Sequence, residues 1–365
     1  MSATRAVTTN GGPSSVPAGL DHEELLVKRG RRTGLYLIVA VHSTVLGPAL
    51  GGARLWRYST PGDAIADALR LSEAMTYKAA AAGLDLGGGK AVLSVEREPS
   101  GSERRALMLD LGDVVDSLDG DYITAEDVGT GAADMAIVAE RTDHVVGLPP
   151  EKGGSGDPSP VTARGVLAAI RACCEHRFGT ADLAGRRICV IGLGHVGSRL
   201  ARFLADAGAE LLVSDIRDSK RELGAELGAD WVDAEAEATA ECEVLAPCAL
   251  GGTITRENLD RLRCEIVCGA ANNVLAEDSL AADLDAHGIL YAPDFIVNSG
   301  GLINVYSELH SLPRERTEEL VDRIGDVVGT ILAEAQSRGI PPLSAAHELA
   351  RERLAEDSRL RAARA

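Results

Sequence analysis

The spacing of apolar residues changes several times along the chain, and each change predicts a new element. Residues 34–44, GLYLIVAVHST, are a β-branched apolar run that reads as a strand. Between Thr60 and Gly83 the period becomes helical. Ile65, Ala68, Leu69, Ser72, Met75 and Thr76 share one face, which predicts burial of that face. Thr60 is placed to cap this helix, Pro61 suits its first position, and Gly83 ends it. Lys78 falls in the last turn, where the helix dipole by itself favours a cation. KAVLSVE (90–96) reads as the next strand, so the glycines before Lys90 read as a turn leading into it. A short amphipathic helix follows at ALMLDLGDVVDSL, and YITAEDVGT reads as strand then loop.

EKGGSGDPSP (151–160) is the most loop-like internal segment and places a domain boundary nearby. A helix is expected from about Pro160 to Phe178. Beyond it, RRICVIGLGHVGSRLARFLADAGAELLVSDIRD reads as strand, glycine turn, helix and strand. Further strands are expected at CEVLAP, CEIVCGAANN and GILYAPD, a succession that indicates a parallel sheet covered by helices. A charged helix follows Pro313, RGIPP breaks it, and a last helix starts near Ser344. The fold class is therefore α/β with two domains. An N-terminal α/β substrate domain spans 21–150, completed by a C-terminal helix over 344–365. A Rossmann-type dinucleotide-binding domain with connecting helices spans 151–343. Residues 1–20 have no apolar centre, so they read as a disordered tail and not as a signal peptide.

Composition narrows the partners. The 365 residues are 45% hydrophobic and 25% charged, with a formal net charge of −18. So acidic a surface argues against nucleic acid and anionic membranes. No apolar run reaches membrane-spanning length. The seven cysteines form no CxxC pair, so they read as small core residues, with no metal site expected and a reducing cytoplasm as the setting.

Two stretches carry chemistry. GLGHVG (192–197) sits between an expected strand and an expected helix, and Asp215 follows near the end of the next strand. That context makes the GxGxxG pattern a dinucleotide site. Gly192 permits the tight turn, Gly194 admits a pyrophosphate, and Gly197 allows the helix to approach the strand. Leu193, His195 and Val196 complete the turn, with His195 at the surface. Asp215 would accept ribose hydroxyls and repel a 2′-phosphate, which favours NAD over NADP. A Rossmann fold can bind other ligands, so the fold alone does not name the cofactor.

The second stretch is GLDLGGGKAVL (83–93). It is not a phosphate-binding P-loop, because Gly83 lies one residue too far from Gly89 and Ala91 offers no hydroxyl. With Lys78 and Asp127 nearby in the domain, Lys90 suits amine chemistry. An ammonium binds a carboxylate, a lysine near another cation loses its proton more easily, and a carboxylate exchanges protons with an amine.

The motifs GPALGGARLW, MTYKAAAAGLDLGGGKAVL, YITAEDVGT, GDPSPVTARGV, GLGHVGS, APCALGG, GAANN and APDFIVNSGGLINV together resemble the leucine, valine and phenylalanine dehydrogenases of the glutamate dehydrogenase superfamily. The resemblance covers about residues 34–360. It implies reversible oxidative deamination of an L-amino acid to a 2-oxo acid, ammonia and NADH by a homo-oligomer. It puts Lys78 at the substrate carboxylate, Lys90 as the general base and Asp127 in proton exchange with the amino group. Gly51 and Gly52 would approach the substrate through their backbones. Asn272 would serve the substrate, and Thr162 and Asn273 the nicotinamide. Leu50, Ala125, Leu302 and Val305 would surround the substrate side chain. Leu50 stands where glutamate-specific relatives carry lysine, and Ala125 where phenylalanine-preferring ones have glycine. With the bulky Leu302, this points to the valine branch, with leucine and isoleucine also accepted. One departure is Gly89, in place of an expected alanine, which would add backbone freedom. The alternatives are a phenylalanine-preferring member and a non-catalytic NAD-binding regulator. Retention of Lys78, Lys90 and Asp127 weighs against the regulator.

Overall fold

A computed structural model describes residues 20–364, with side chains to Leu360. The tail expected over 1–20 therefore lies, apart from Leu20, outside the described residues. The chain divides into two compact units. The first holds residues up to Gly156, Val305–Ser311, and the chain from Ala350 on; the second holds Asp157–Asn304 and Leu312–Leu349.

The first unit contains β1 (Glu24–Arg29), β2 (Tyr36–Ser43), β3 (Ala49–Trp56), α1 (Pro61–Ala81), β4 (Gly87–Ser94), α2 (Gly101–Asp116), β5 (Tyr122–Glu126) and α3 (Ala132–Val138). Its sheet runs β1-β2-β4-β3-β5. β2 pairs antiparallel with β1 and β4, while β3 is parallel to both β4 and β5. Ala64 and Ala68 of α1 pack on Ile38, Ala40 and Val92 on one face. Leu107, Met108 and Leu111 of α2, with Met135 and Val138 of α3, fill the other. The start of α1 follows from its sequence. Thr60 Oγ1 accepts from the Asp63 amide at 3.2 Å, and Asp63 accepts from the Thr60 amide at 2.9 Å, a reciprocal cap behind Pro61.

The glycine run departs from expectation. Gly87, Gly88 and Gly89 do not form a turn; they are the first residues of strand β4. What they supply is space. A Cβ at Gly88 would enter the α1 backbone at Thr76 and Ser72, and one at Gly87 would meet the Ser43 carbonyl. A Cβ at Gly89 would stand 2.5 Å from Tyr122 Cδ2. Gly89 therefore makes room for a buried aromatic ring, where added backbone freedom was the expectation. Strands β1 and β3 have no clear alternating pattern, one being a half-buried edge and the other holding a glycine pair.

The second unit contains α4 (Ser159–Phe178), β6 (Arg187–Ile191), α5 (His195–Asp206), β7 (Glu210–Ser214), α6 (Arg221–Glu226), β8 (Asp230–Trp231), β9 (Val244–Pro247), β10 (Ile266–Val267), α7 (Leu280–Ala286), β11 (Leu290–Tyr291) and α8 (Asp294–Val297). Helices α9 (Gly300–Leu309), α10 (Arg314–Arg338) and α11 (Pro342–Arg364) complete the chain. The parallel sheet runs β11-β10-β9-β6-β7-β8. After β6 the chain moves outward through β7 and β8, then returns to β6's other side with β9. The carboxyl end of β6 is therefore the switch point where such sheets bind ligands. All seven cysteines are free, and all but the half-buried Cys248 are buried. No described helix is long and apolar enough to cross a membrane.

Candidate active site

Lys90 lies on β4 and is 5% exposed. Its Nζ is 2.9 Å from Asp127 Oδ2, just beyond the end of β5. The same oxygen accepts from Arg54 Nε at 2.9 Å. Arg54 in turn reaches Asp67 Oδ2 on α1 at 3.1 Å, and the Tyr58 hydroxyl donates to that oxygen at 2.6 Å. The loop that carries Asp127 is itself fastened. Thr130 Oγ1 accepts from the Asp127 amide at 2.9 Å and donates to the Ala53 carbonyl at 2.8 Å. Gly52 completes the fit, since a Cβ there would stand 2.7 Å from Asp127 Cβ.

The electrostatics follow from this packing. Burial is the largest influence on Lys90 and pushes its pKa below the ordinary lysine value; Asp127 opposes the shift and Arg54 adds to it. Burial pushes Asp127 up, but Lys90 and Arg54 together hold it below the usual carboxylate range. Thus a lysine with weakened proton affinity faces an ionised carboxylate. Its leading cationic neighbour is Arg54, which the sequence reading did not single out.

Alternation places other expected residues on the same sheet face. Gly88 packs on α1, and Lys90 is two residues on. Leu50 pairs with Gly88, and Ala125 pairs with Gly52, so both side chains share that face. Both are buried. Gly51 accepts a 2.6 Å hydrogen bond from the Tyr122 hydroxyl at its carbonyl. Lys78 stands half-buried in the last turn of α1.

In the second unit Gly192 follows β6 with φ +90°, where a Cβ would also lie 2.7 Å from Ala249 Cβ. A Cβ at Gly197 would strike the Gly192 carbonyl, so glycine lets α5 start against the strand. Gly194 is the N-cap of α5. It leaves the first-turn amides without a side-chain cap and has open space where a Cβ would stand. His195 is exposed, Val196 half-buried and Leu193 buried. Asp215 follows β7 and accepts from the Leu193 amide at 2.8 Å. Arg217 grips the same carboxylate through Nε and Nη2, each at 2.9 Å. Hydrogen bonds from Arg217 and the Leu193 amide bring Asp215 down to about 2. An uncapped helix start, open space at Gly194 and an ionised carboxylate one strand away fit a dinucleotide.

Asn272 Oδ1 accepts from Asn298 Nδ2 at 2.9 Å, and Asn298 is buried. Asn273 is exposed with φ +52°, and its carbonyl accepts from the Gly252 amide at 2.7 Å. Thr162 donates to the Pro158 carbonyl at 3.0 Å and packs where a Cβ on Gly300 would come within 2.7 Å of its Cα. Helix α9 crosses the unit boundary, so the buried Leu302 belongs to the second unit and the half-buried Val305 to the first. Arg54, Asp67, Tyr58, Thr130 and Asn298 escaped the sequence reading. Had β3 been recognised as a strand, Arg54 would have been expected on the face of Gly52, two residues earlier.

Comparison with known proteins matches the chain to one family. Residues 24–144 match the model described as Glu/Leu/Phe/Val dehydrogenase, dimerisation domain, and 215–362 match Glutamate/Leucine/Phenylalanine/Valine dehydrogenase. The leucine dehydrogenase of Thermoactinomyces intermedius is 44% identical over 335 residues, covering 92% of this chain and 91% of that protein. The valine dehydrogenase of Streptomyces virginiae is 43% identical over 339 residues, 92% of this chain and 94% of its own. The solved L-tryptophan dehydrogenase of Nostoc punctiforme superposes with a TM-score of 0.84 at 36% identity, covering 93% of this chain and 98% of that one. With a nucleotide-type glycine turn in one unit and a buried lysine–aspartate pair in the other, this chain belongs to the glutamate/leucine/phenylalanine/valine dehydrogenase family of amino acid dehydrogenases.

Proposed function

We propose that the chain carries out NAD-dependent, reversible oxidative deamination of branched-chain L-amino acids, with valine preferred and leucine and isoleucine accepted. The observation that carries this reading is the buried Lys90, 2.9 Å from Asp127, with its proton affinity weakened. Bound NAD would supply the acceptor for the hydride that leaves the substrate Cα. The Gly192–Gly197 turn, the start of α5 and Asp215 are the residues that would hold it.

This chain's own residues handle the protons. Lys78 binds the substrate carboxylate as an ammonium. Asp127 removes a proton from the α-amino group before hydride departure leaves an iminium. Neutral Lys90 takes a proton from water as its oxygen bonds to the imine carbon. Asp127 then returns its proton to nitrogen. The C–N bond breaks, the hydroxyl proton passes to solvent, and ammonia and the 2-oxo acid are released.

Apolar Leu50 and Ala125 support an aliphatic substrate. A second carboxylate beside Leu50 would be buried without a partner, at high cost. The test is NADH absorbance with valine and NAD, followed by initial rates across a panel of L-amino acids. Faster turnover of valine than of phenylalanine or glutamate supports the reading. Absence of NADH formation with every aliphatic substrate defeats it, and a phenylalanine preference overturns the specificity.

A further inference from the structure

Lys90 does not have Asp127 to itself. Arg54 Nε and Lys90 Nζ meet the same carboxylate oxygen, Oδ2, each at 2.9 Å. Arg54 is held from behind, because its Nη1 contacts Asp67 Oδ2 at 3.1 Å. Asp67 is fixed in turn by the Tyr58 hydroxyl at 2.6 Å and by Arg70 Nη2 at 2.7 Å. Only one of these contacts touches the lysine–aspartate pair, yet together they form a continuous chain from α1 to Lys90.

We propose that Arg54 is a positioning residue that sets the protonation of Lys90 by sharing Asp127 with it, and that Asp67 controls how much of Arg54's charge Lys90 meets. This rests on the reading of Lys90 as a proton acceptor. Two physical effects act in one direction. A guanidinium on Asp127 Oδ2 dilutes the counter-charge available to Lys90, and it repels an ammonium directly. Arginine suits the place, since it keeps its own proton at any working pH and its fork spans two carboxylates.

The charged groups around Lys90 come from every element packed against it. Asp127 follows β5, Arg54 is on β3, and Asp67 and Arg70 are on α1, with Lys78 in that helix's last turn. On the β2 side, Ala40 lies opposite Lys90, and His42, two residues on, is bonded to Thr76 Oγ1 at 2.9 Å. Burial is the largest influence on Lys90. Among its neighbours Asp127 and Asp67 favour the ammonium, and Arg54 disfavours it.

Opposite substitutions therefore have opposite effects. In Arg54→Met, Lys90 keeps Asp127 alone, so the ammonium persists to higher pH. The acid limb of kcat/KM against pH should move toward higher pH. In Asp67→Asn, Arg54 loses its second counter-charge and Lys90 loses a nearby anion, so the same limb should move toward lower pH. Arg54→Lys, which keeps the charge, should bring the limb back toward wild type.

The experiment is the pH profile of the full-length enzyme and these variants. It is paired with trace acetylation of Lys90 across pH, read by peptide mass spectrometry without substrate. Opposed displacements of both midpoints support the proposal. Midpoints that stay at the wild-type value, or move in the same direction in both variants, overturn it even if kcat falls. If Arg54→Met does not fold, Asp67→Asn decides alone, and a midpoint at or above wild type overturns the proposal. Opposed labelling midpoints in a protein that never deaminates an amino acid would uphold this coupling and defeat the functional reading instead.

Discussion

Gly52 and Asp127 are packed so closely that a side chain on the first displaces the second. A Cβ at position 52 would stand 2.7 Å from Asp127 Cβ and 2.5 Å from the Glu126 carbonyl oxygen. The glycine in β3 thus lets the carboxylate come within 2.9 Å of Lys90.

Gly52→Ala should therefore push Asp127 away from Lys90 and lower kcat by about 10²-fold, the size of effect that a misplacement near 1 Å produces. Nucleotide binding, followed by protein fluorescence, should stay at the wild-type level. A kcat within a few-fold of wild type would mean that the loop moves without harm.

Gly89→Ala should overpack the first unit, because the new Cβ meets the Tyr122 ring at 2.5 Å. The expected loss is about 1–3 kcal/mol, seen as a lower thermal midpoint. Tyr122→Leu, which removes the ring, should cost less in the Gly89→Ala background than in wild type. Strictly additive midpoints would show that the contact is not where the strain falls.

The two lysines should separate kinetically. Lys90→Ala should lower kcat by about 10²–10⁴-fold, the usual contribution of an acid–base group, with NAD binding kept. Lys78→Ala should mainly raise KM for the amino acid. If Lys78→Ala lowers the thermal midpoint and leaves KM unchanged, Lys78 is only a helix-terminal cation.

Cofactor choice should turn on Asp215. Its carboxylate is ionised at every working pH, and the arginine that grips it is already present in Arg217. Asp215→Ser should remove the repulsion of a 2′-phosphate and release Arg217 to bind one. Dissociation constants for NADP should fall relative to NAD. A wild-type protein that already binds NADP as tightly would remove the basis for this assignment.

Substrate choice should respond to Ala125, which is buried on the face shared with Lys90. Ala125→Gly should raise kcat/KM for phenylalanine relative to valine. The change should be modest, since one methylene is worth about 1–3 kcal/mol. An unmoved ratio would place the side-chain site elsewhere.

The sequence by itself was enough for the strand–turn–helix–strand run through GLGHVG, for strands β2, β9, β10 and β11 and for the cap of α1 at Thr60, but not for β1, β3 or β8. These features depend on periodicity and on residues a few positions apart, so local chemistry specifies them. Lys90 and Asp127 were also named from the sequence as candidate groups, since an amine and a carboxylate suit amine chemistry. Their contact was not, since it arises from the register of β4 on β3 and of β3 on β5. The packing of α1 on the sheet brings Arg54 of β3 and Asp67 of α1 together, 13 residues apart in the chain. Tertiary packing also makes Gly87–Gly89 a strand, because what those positions lack is room beside Ser43, Thr76 and Tyr122. A glycine's spelling is the same for a turn and for a tight contact; only the neighbours that tertiary packing supplies decide between them.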